Sequence, residues 1–164
     1  MTITSCVIAL CQPERDRQGM TETQTTQATA INRLRLVLRA NAATSITGGA
    51  IALFAGSWVS RELGIDHVVV TRLLGVGLIV FALQVLMLSR ARDERVVAES
   101  LLISLADAAW VLGTVVVILS GVLSTTGNIV AGLIGLAVGD FGATQFWLRT
   151  RATAASTSLR PVTA

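Results

Sequence analysis

Carboxylate and amide side chains lie inside several long apolar runs of this sequence. Asp107 lies within SLADAAWVLGTVVVILSG (residues 104–121), and Asp140 interrupts a second apolar run that is rich in glycine. A charge at the centre of a bilayer costs about 2.5–3.5 kcal/mol on insertion scales, so such a group needs a partner or water. The chemistry open to it is proton or cation binding, or a hydrogen-bonded link between helices.

The depth of these side chains predicts that they meet. At about 1.5 Å per helical residue, Asp107 and Asp140 lie roughly 12 Å inside the same membrane surface. Asn41 and Gln84 fall slightly nearer that surface, and Arg39 lies at the boundary. We therefore predict a polar cluster of Arg39, Asn41, Gln84, Asp107 and Asp140.

Two interpretations of this cluster compete. In the first, the Arg39 guanidinium binds one carboxylate and the amides supply further donors, so that the network fixes the helix register. In the second, one aspartate lacks a full counter-charge, because one arginine cannot neutralise two carboxylates, and it carries a proton or binds a cationic ligand. A third possibility is that the two aspartates are not neighbours.

Composition indicates the elements that hold these residues. Of the 164 residues, 52% are hydrophobic and 14% are charged, and the mean hydropathy is +0.69. Soluble domains have roughly 45–50% apolar and 25% charged residues. Four apolar runs are each close to the roughly 20 residues that cross a bilayer. They cover about residues 37–58, 68–88, 99–121 and 128–148. Because a backbone in lipid must satisfy its own hydrogen bonds, we predict an all-α bundle of four transmembrane helices.

The arginines predict how the chain is threaded. Arginines precede the first span, fill the loop between the second and third spans, and follow the fourth. By the positive-inside rule, both termini face the cytoplasm in an up-down topology. We divide the chain into a disordered N-terminal tail (1–32), a transmembrane domain (33–150) and a C-terminal tail (151–164).

Small residues predict where the helices pack. Helices in lipid approach each other through glycine, alanine and serine. The spacing alternates between three and four residues, which favours left-handed, near-antiparallel packing. The predicted packing glycines are Gly48, Gly75, Gly132, Gly135, Gly139 and Gly142.

An internal repeat is a further hypothesis. ANAATSITGG in the first span and ADAAWVLGT in the third share the pattern Ala, Asn or Asp, Ala, Ala. Because the copies are two spans apart along the chain, they would have the same orientation, in a 2+2 parallel repeat. Chance similarity between Ala/Val/Gly-rich helices is the alternative.

Several function classes have no support in the sequence. Every basic residue is an arginine, and no basic groove with interleaved aromatics is present, so we expect no nucleic-acid partner. The single histidine, His67, and the two cysteines near the N-terminus, Cys6 and Cys11, form no metal-binding pattern. We expect no cofactor, no metal and no enzymatic activity.

Short motifs within residues 33–150 resemble a known group of proteins. LRLVLRANAATSITGGAIALFAG, RLLGVGLIVFALQVLMLSR and DAAWVLGT are broadly similar to the DoxX-like group of small bacterial four-helix membrane proteins. The resemblance implies an integral inner-membrane protein and assigns no catalytic residues. Small multidrug exporters also have four spans, but their hallmark glutamate in the first helix has no counterpart here, where Asn41 is the comparable polar group.

These patterns lead to two functional expectations. The first is a structural or partner-interaction component of a bacterial inner membrane, in contact with the lipid bilayer and with a second copy or another membrane protein. The alternative is a small proton-coupled transporter or carrier that uses Asp107 or Asp140.

Overall fold

Helices joined by short connections form the described part of the chain. A computed structural model describes the backbone of residues 3–158 and the side chains of residues 21–155. The helices are α1 (Ile3–Phe54), α2 (Gly56–Leu63), α3 (Val68–Ser89), α4 (Asp93–Leu119) and α5 (Thr125–Ser158). Four of them, α1, α3, α4 and α5, are long and apolar enough to cross a membrane. The predicted all-α class with four apolar spans is confirmed.

The outer surface of the spans is apolar. Phe54 and Leu119 are 83% and 80% exposed, and many other leucine and valine side chains also point outward. Polar side chains are among the most buried, including Asn41, Thr71 and Gln145. Large exposed apolar patches are rare on soluble monomers, whereas a lipid-facing helix surface has this composition.

Helices α1 and α3 cross through a pair of glycines. A Cβ added at Gly75 would lie 2.7 Å from the carbonyl oxygen of Gly49 and 2.9 Å from the amide nitrogen of Leu53. No side chain larger than hydrogen fits between these backbones. Gly75 thus lies in a helix contact, whereas Gly48 does not, because no atom lies within 4 Å of its Cβ position. The adjacent Gly49 makes the contact.

Helices α4 and α5 pack through a second glycine face. A Cβ at Gly135 would lie 3.2 Å from Cγ2 of Thr114, and one at Gly139 would lie 3.6 Å from Cγ2 of Val111. Moving along α5 from Gly135 to Gly139, the contacted residue on α4 changes from Thr114 back to Val111. The two helices are therefore antiparallel. The prediction for Gly132 is wrong, because its Cβ position has no neighbour within 4 Å.

The helices are not equivalent in their packing. Helix α1 packs along both α3 and α5, and α5 also packs along α4. In contrast, α3 and α4 have few contacts, and α3 does not contact α5 within the described residues. A parallel 2+2 repeat would make the α1–α5 and α3–α4 interfaces similar, which is not observed. The repeat is not confirmed, and the up-down threading and left-handed crossing stay predictions.

Helix α1 begins before the predicted first span. Residues 21–32 are helical, which differs from the prediction of a disordered tail over residues 1–32. Ala30 and Ile31 are buried against Ala152 and Val97, so this segment packs on α4 and α5. Ala152 also shows that the predicted C-terminal tail begins within α5. The apolar contact between the two extensions offsets the cost of ordering them.

The first predicted span is interrupted near its far end. Helix α1 ends at Phe54, and α2 starts at Gly56 after a change of backbone direction at Ala55. A Gly-Ser pair, here Gly56 and Ser57, is a usual cause of such a kink. Helix α2 then ends at Leu63 and is followed by Gly64, whose φ of 76° is in the left-handed region that glycine adopts without strain.

The loop between α4 and α5 holds the end of α2. The backbone N–H of Ser124 donates to the carbonyl of Leu63 at 2.9 Å, and its hydroxyl donates to the carbonyl of Glu62 at 2.6 Å. The last carbonyls of a helix lack internal partners, so this loop satisfies two of them. Ser60 and Thr71 share a buried hydrogen bond of 2.7 Å between their hydroxyls, which joins α2 to α3.

Replacing Gly75 with alanine should destabilise the protein. The added methyl group would overlap the α1 backbone, and overpacking of this kind typically costs about 1–3 kcal/mol. Gly77→Ala is the matched control, because no atom lies within 4 Å of its Cβ position. Unfolding in detergent micelles measures both variants. Equal stability of the two would contradict the proposed backbone contact.

Candidate functional site

A buried polar group lies where α1, α4 and α5 meet. Asp107 of α4 is 2% exposed, Asn41 of α1 is 1% exposed and Gln145 of α5 is fully buried. Asn41 Nδ2 donates to Asp107 Oδ2 at 3.0 Å and to Oδ1 at 3.3 Å. Gln145 Nε2 donates to Oδ2 at 3.2 Å. We call these three residues the Asp107 node.

Local sequence explains why three helices can meet at this carboxylate. A Cβ added at Gly142 would lie 3.1 Å from the Cβ of Asp107, so α5 passes directly over the aspartate. Gln145 follows Gly142 by three residues and therefore projects from the same helix face. The Asn41 amide is itself held, because Ser45 Oγ donates to its Oδ1 at 3.4 Å.

The charge of the node is met by amides alone. Among the described residues, the ion pairs join Arg35 with Asp93 and Arg95 with Glu99, and neither involves Asp107. The nearby Ser104 hydroxyl donates to the carbonyl of Ser100 rather than to the carboxylate. Oε1 of Gln145 is buried without a hydrogen-bond partner. When Asp107 is ionised, the node carries a full negative charge. No cation among the described residues forms an ion pair with it.

The structure brings together only part of the predicted cluster. Asn41 and Asp107 are in contact as predicted, but Arg39, Gln84 and Asp140 are exposed on α1, α3 and α5. The prediction that these three join the cluster is wrong. They lie on helix faces that point away from the node.

Gln145 is the node residue that sequence reasoning missed. It lies near the end of the fourth predicted span, which covers about residues 128–148. The available signal was its spacing of three residues from Gly142, on a helix face already predicted to pack. An amide on such a face inside an apolar run needs a buried partner.

A second polar anchor ties α1 to the loop between α3 and α4. The Arg35 guanidinium donates to the carbonyls of Ser89 and Ala91, both at 2.6 Å, and binds Asp93 Oδ1 at 2.7 Å. Three residues in and beside one short connection are thereby fixed by one side chain. Nearby, Arg149 Nε of α5 donates to the carbonyl of Val97 at 3.0 Å.

The described residues offer no metal site of the common kind. Within residues 21–155, no group of three or more His, Cys, Asp or Glu side chains is placed to hold an ion. The Asp107 node combines one carboxylate with two amides. Such a group can lock helices together or accept a proton.

Comparison with known proteins adds no family assignment. No family model matches the chain, and neither a curated protein nor a solved structure does. The fold defines the class of protein: the chain has the four apolar helices of a multi-pass membrane protein.

Removing the Asn41 amide should weaken the fold. Asn41→Ala leaves the buried carboxylate with one donor fewer, at a typical cost of about 1–3 kcal/mol. Gln84→Ala is the control, since this amide is at a similar predicted depth but is exposed. Its free energy of unfolding should change by no more than about 0.5 kcal/mol. Chemical unfolding in micelles provides the measurement.

A double-mutant cycle isolates the contact itself. The effects of Asn41→Ala and Asp107→Ala should be non-additive by at least about 0.5 kcal/mol, because the two residues share a hydrogen bond. Asp140→Ala replaces Asp107→Ala in the matched control cycle, where the effects should add. Additivity in both cycles would show that the node contributes no coupling between the helices.

Proposed function

We propose that this protein is a structural or partner-interaction component of a bacterial inner membrane. The observation that carries the proposal is the near-complete burial of Asp107 under amides from two other helices. A carboxylate enclosed in this way is suited to hold α1, α4 and α5 in one register. Buried polar groups of this kind can specify one arrangement among helices that lipid alone would not distinguish.

The distribution of arginines supports the orientation of the protein. Arg35 contacts the α3–α4 loop and Arg149 contacts Val97 near the start of α4, so these arginines share one end of the molecule. Arg61 and Arg72 lie toward the other end, where Glu62 and Asp66 offset them. By the positive-inside rule, we infer that both termini and the α3–α4 loop face the cytoplasm. The resemblance to DoxX-like proteins supports a bacterial inner membrane.

Single-cysteine labelling tests this orientation. In a variant with Cys6 and Cys11 replaced by serine, Arg92→Cys should react with a membrane-impermeant maleimide only after the inner membrane is permeabilised. Thr126→Cys, at the start of α5, should react in spheroplasts before permeabilisation. Both positions are exposed in the structure. The reverse labelling pattern would overturn the assignment of cytoplasmic termini.

A proton-coupled carrier is the second candidate function. It is favoured by one observation: no described cation pairs with Asp107, so this carboxylate can change its protonation without breaking an ion pair. In that case the node would carry the proton during transport. Asp140, which is exposed on the outside of α5, would not take part.

Flux and stability together separate the two functions. If the node is structural, proteoliposomes should leak protons no faster than empty liposomes, and Asp107→Asn should lower the melting temperature. The new amide would place donors opposite the Asn41 and Gln145 donors, at a typical cost of about 1–3 kcal/mol. Asp140→Asn should leave the melting temperature unchanged.

The carrier predicts a different pair of results. Proton flux would exceed that of empty liposomes, and Asp107→Asn would abolish it while Asp140→Asn would not. A folded Asp107→Asn variant with unchanged stability and lost flux would overturn the structural proposal.

A further inference from the structure

A groove separates the N-terminal part of α1 from the C-terminal part of α5. It encloses about 540 Å³ and lies at the arginine-rich end of the molecule, beyond the Asp107 node. Its walls include Glu22, Ala30, Arg33, Trp147, Leu148 and Arg151. Both polar and apolar side chains therefore face the same space.

Two guanidinium groups give the groove its charge. Arg33 and Arg151 are exposed, and neither is in an ion pair with any of the residues 21–155. The Arg151 guanidinium lies 3.8 Å from the centre of the Trp147 ring, a cation–π contact that holds its position. Stacking uses the face of the guanidinium and leaves its N–H edge able to bind a planar or tetrahedral oxyanion.

The threonines of the groove do not supply donors for an anion. The hydroxyls of Thr25, Thr26 and Thr29 each donate to the backbone carbonyl one helical turn earlier, at 2.8–2.9 Å. Their oxygens remain able to accept hydrogen bonds from hydroxyl groups of a ligand. The groove thus combines guanidinium donors with hydroxyl acceptors, which suits a phosphate that carries a polyol.

The position of the groove along the helices indicates where such a phosphate comes from. Arg33 lies just before the apolar part of α1, and Trp147 lies at the matching end of α5. Tryptophan and arginine at these positions are typical of the membrane interface. Basic pockets between helices on the cytoplasmic side of a membrane bind lipid headgroups.

We propose that this groove binds the headgroup of an anionic phospholipid from the adjacent leaflet. Arg33 and Arg151 bind the phosphate, the threonine oxygens accept from headgroup hydroxyls, and Trp147 and Leu148 contact the glycerol and the first acyl carbons. The proposal depends on the membrane placement given above but not on the role of the Asp107 node. Glu22, which also lines the groove, limits the affinity by repulsion.

Lipid retention by the full-length protein tests the proposal. The protein is purified from nanodiscs of phosphatidylcholine with or without phosphatidylglycerol, and bound lipid is counted by native mass spectrometry. Phosphatidylglycerol should be retained in preference to phosphatidylcholine. Arg33→Gln and Arg151→Gln should each lower this preference about fivefold, the fold-change that corresponds to ~1 kcal/mol per arginine near a membrane surface.

Two matched variants sharpen the result. Arg90→Gln/Arg92→Gln removes two positive charges, one more than either groove variant, from the same end of the protein but outside the groove, and should keep the preference. Glu22→Gln should raise it, because a repulsive charge is removed. A Trp58→Phe/Trp110→Phe background leaves Trp147 as the single tryptophan, and brominated phosphatidylglycerol should quench its fluorescence in an Arg33-dependent way.

Three outcomes would overturn the proposal. One is equal retention of the two lipids, and a second is loss of the preference in Arg90→Gln/Arg92→Gln to the same extent as in the groove variants. The third is binding of soluble glycerol phosphate with the same arginine dependence and no lipid preference, which would assign the groove to a free phosphate ester. The cysteine labelling described above reports separately on the membrane placement, so failure of one proposal is distinguishable from failure of the other.

Discussion

An enclosed carboxylate must be surrounded by donors, and this requirement organises the central contact of the protein. The buried residues of α4 are Val96, Ser100, Ser104 and Asp107, and among them the aspartate is the one that can carry a charge. Its donors come from α1 and α5, so all three helices must approach closely at one level. Gly142 allows that approach, because any larger residue would displace α5 from the aspartate. Burial, glycine placement and amide position are therefore consequences of one polar side chain.

Helix α3 is held by different means. It contributes no polar side chain to the node, and its contact with α1 depends on the close approach of Gly49 and Gly75. Two polar anchors fix its ends: Ser60 bonds Thr71 at one end, and Arg35 bonds the carbonyls of Ser89 and Ala91 at the other. Lipid gives helices no hydrophobic reason to associate, so α3 depends on close backbone packing and on these end contacts.

Depth along a helix could be predicted from the sequence, whereas the direction in which a side chain points could not. Counting residues placed Asn41 and Asp107 at one level, and they do meet. The same counting included Gln84 and Asp140, which point outward. In a soluble protein the apolar stripe identifies the inner face of a helix. Here the lipid-facing surface is as apolar as the packed one, so hydropathy carries no directional signal. The same lack of a directional signal affects Gly48, which is predicted to pack on a neighbouring helix. The contact is made by Gly49, which lies about 100° further around the helix.

The placement of the apolar core follows from where water is present. Most buried apolar side chains lie at the arginine-rich end, in two clusters of α1, α3, α4 and α5 residues. They include Ile31, Leu34, Leu38, Val96 and Leu148. Toward the other end, the buried residues are instead glycines and the hydroxyl-bearing residues of α2 and α3. Apolar burial is favourable only against water, and in the membrane placement proposed above the extensions of α1 and α5 are the segments that leave the bilayer. The hydrophobic effect can therefore hold the helices together at that end, while small and polar residues must do so inside the membrane.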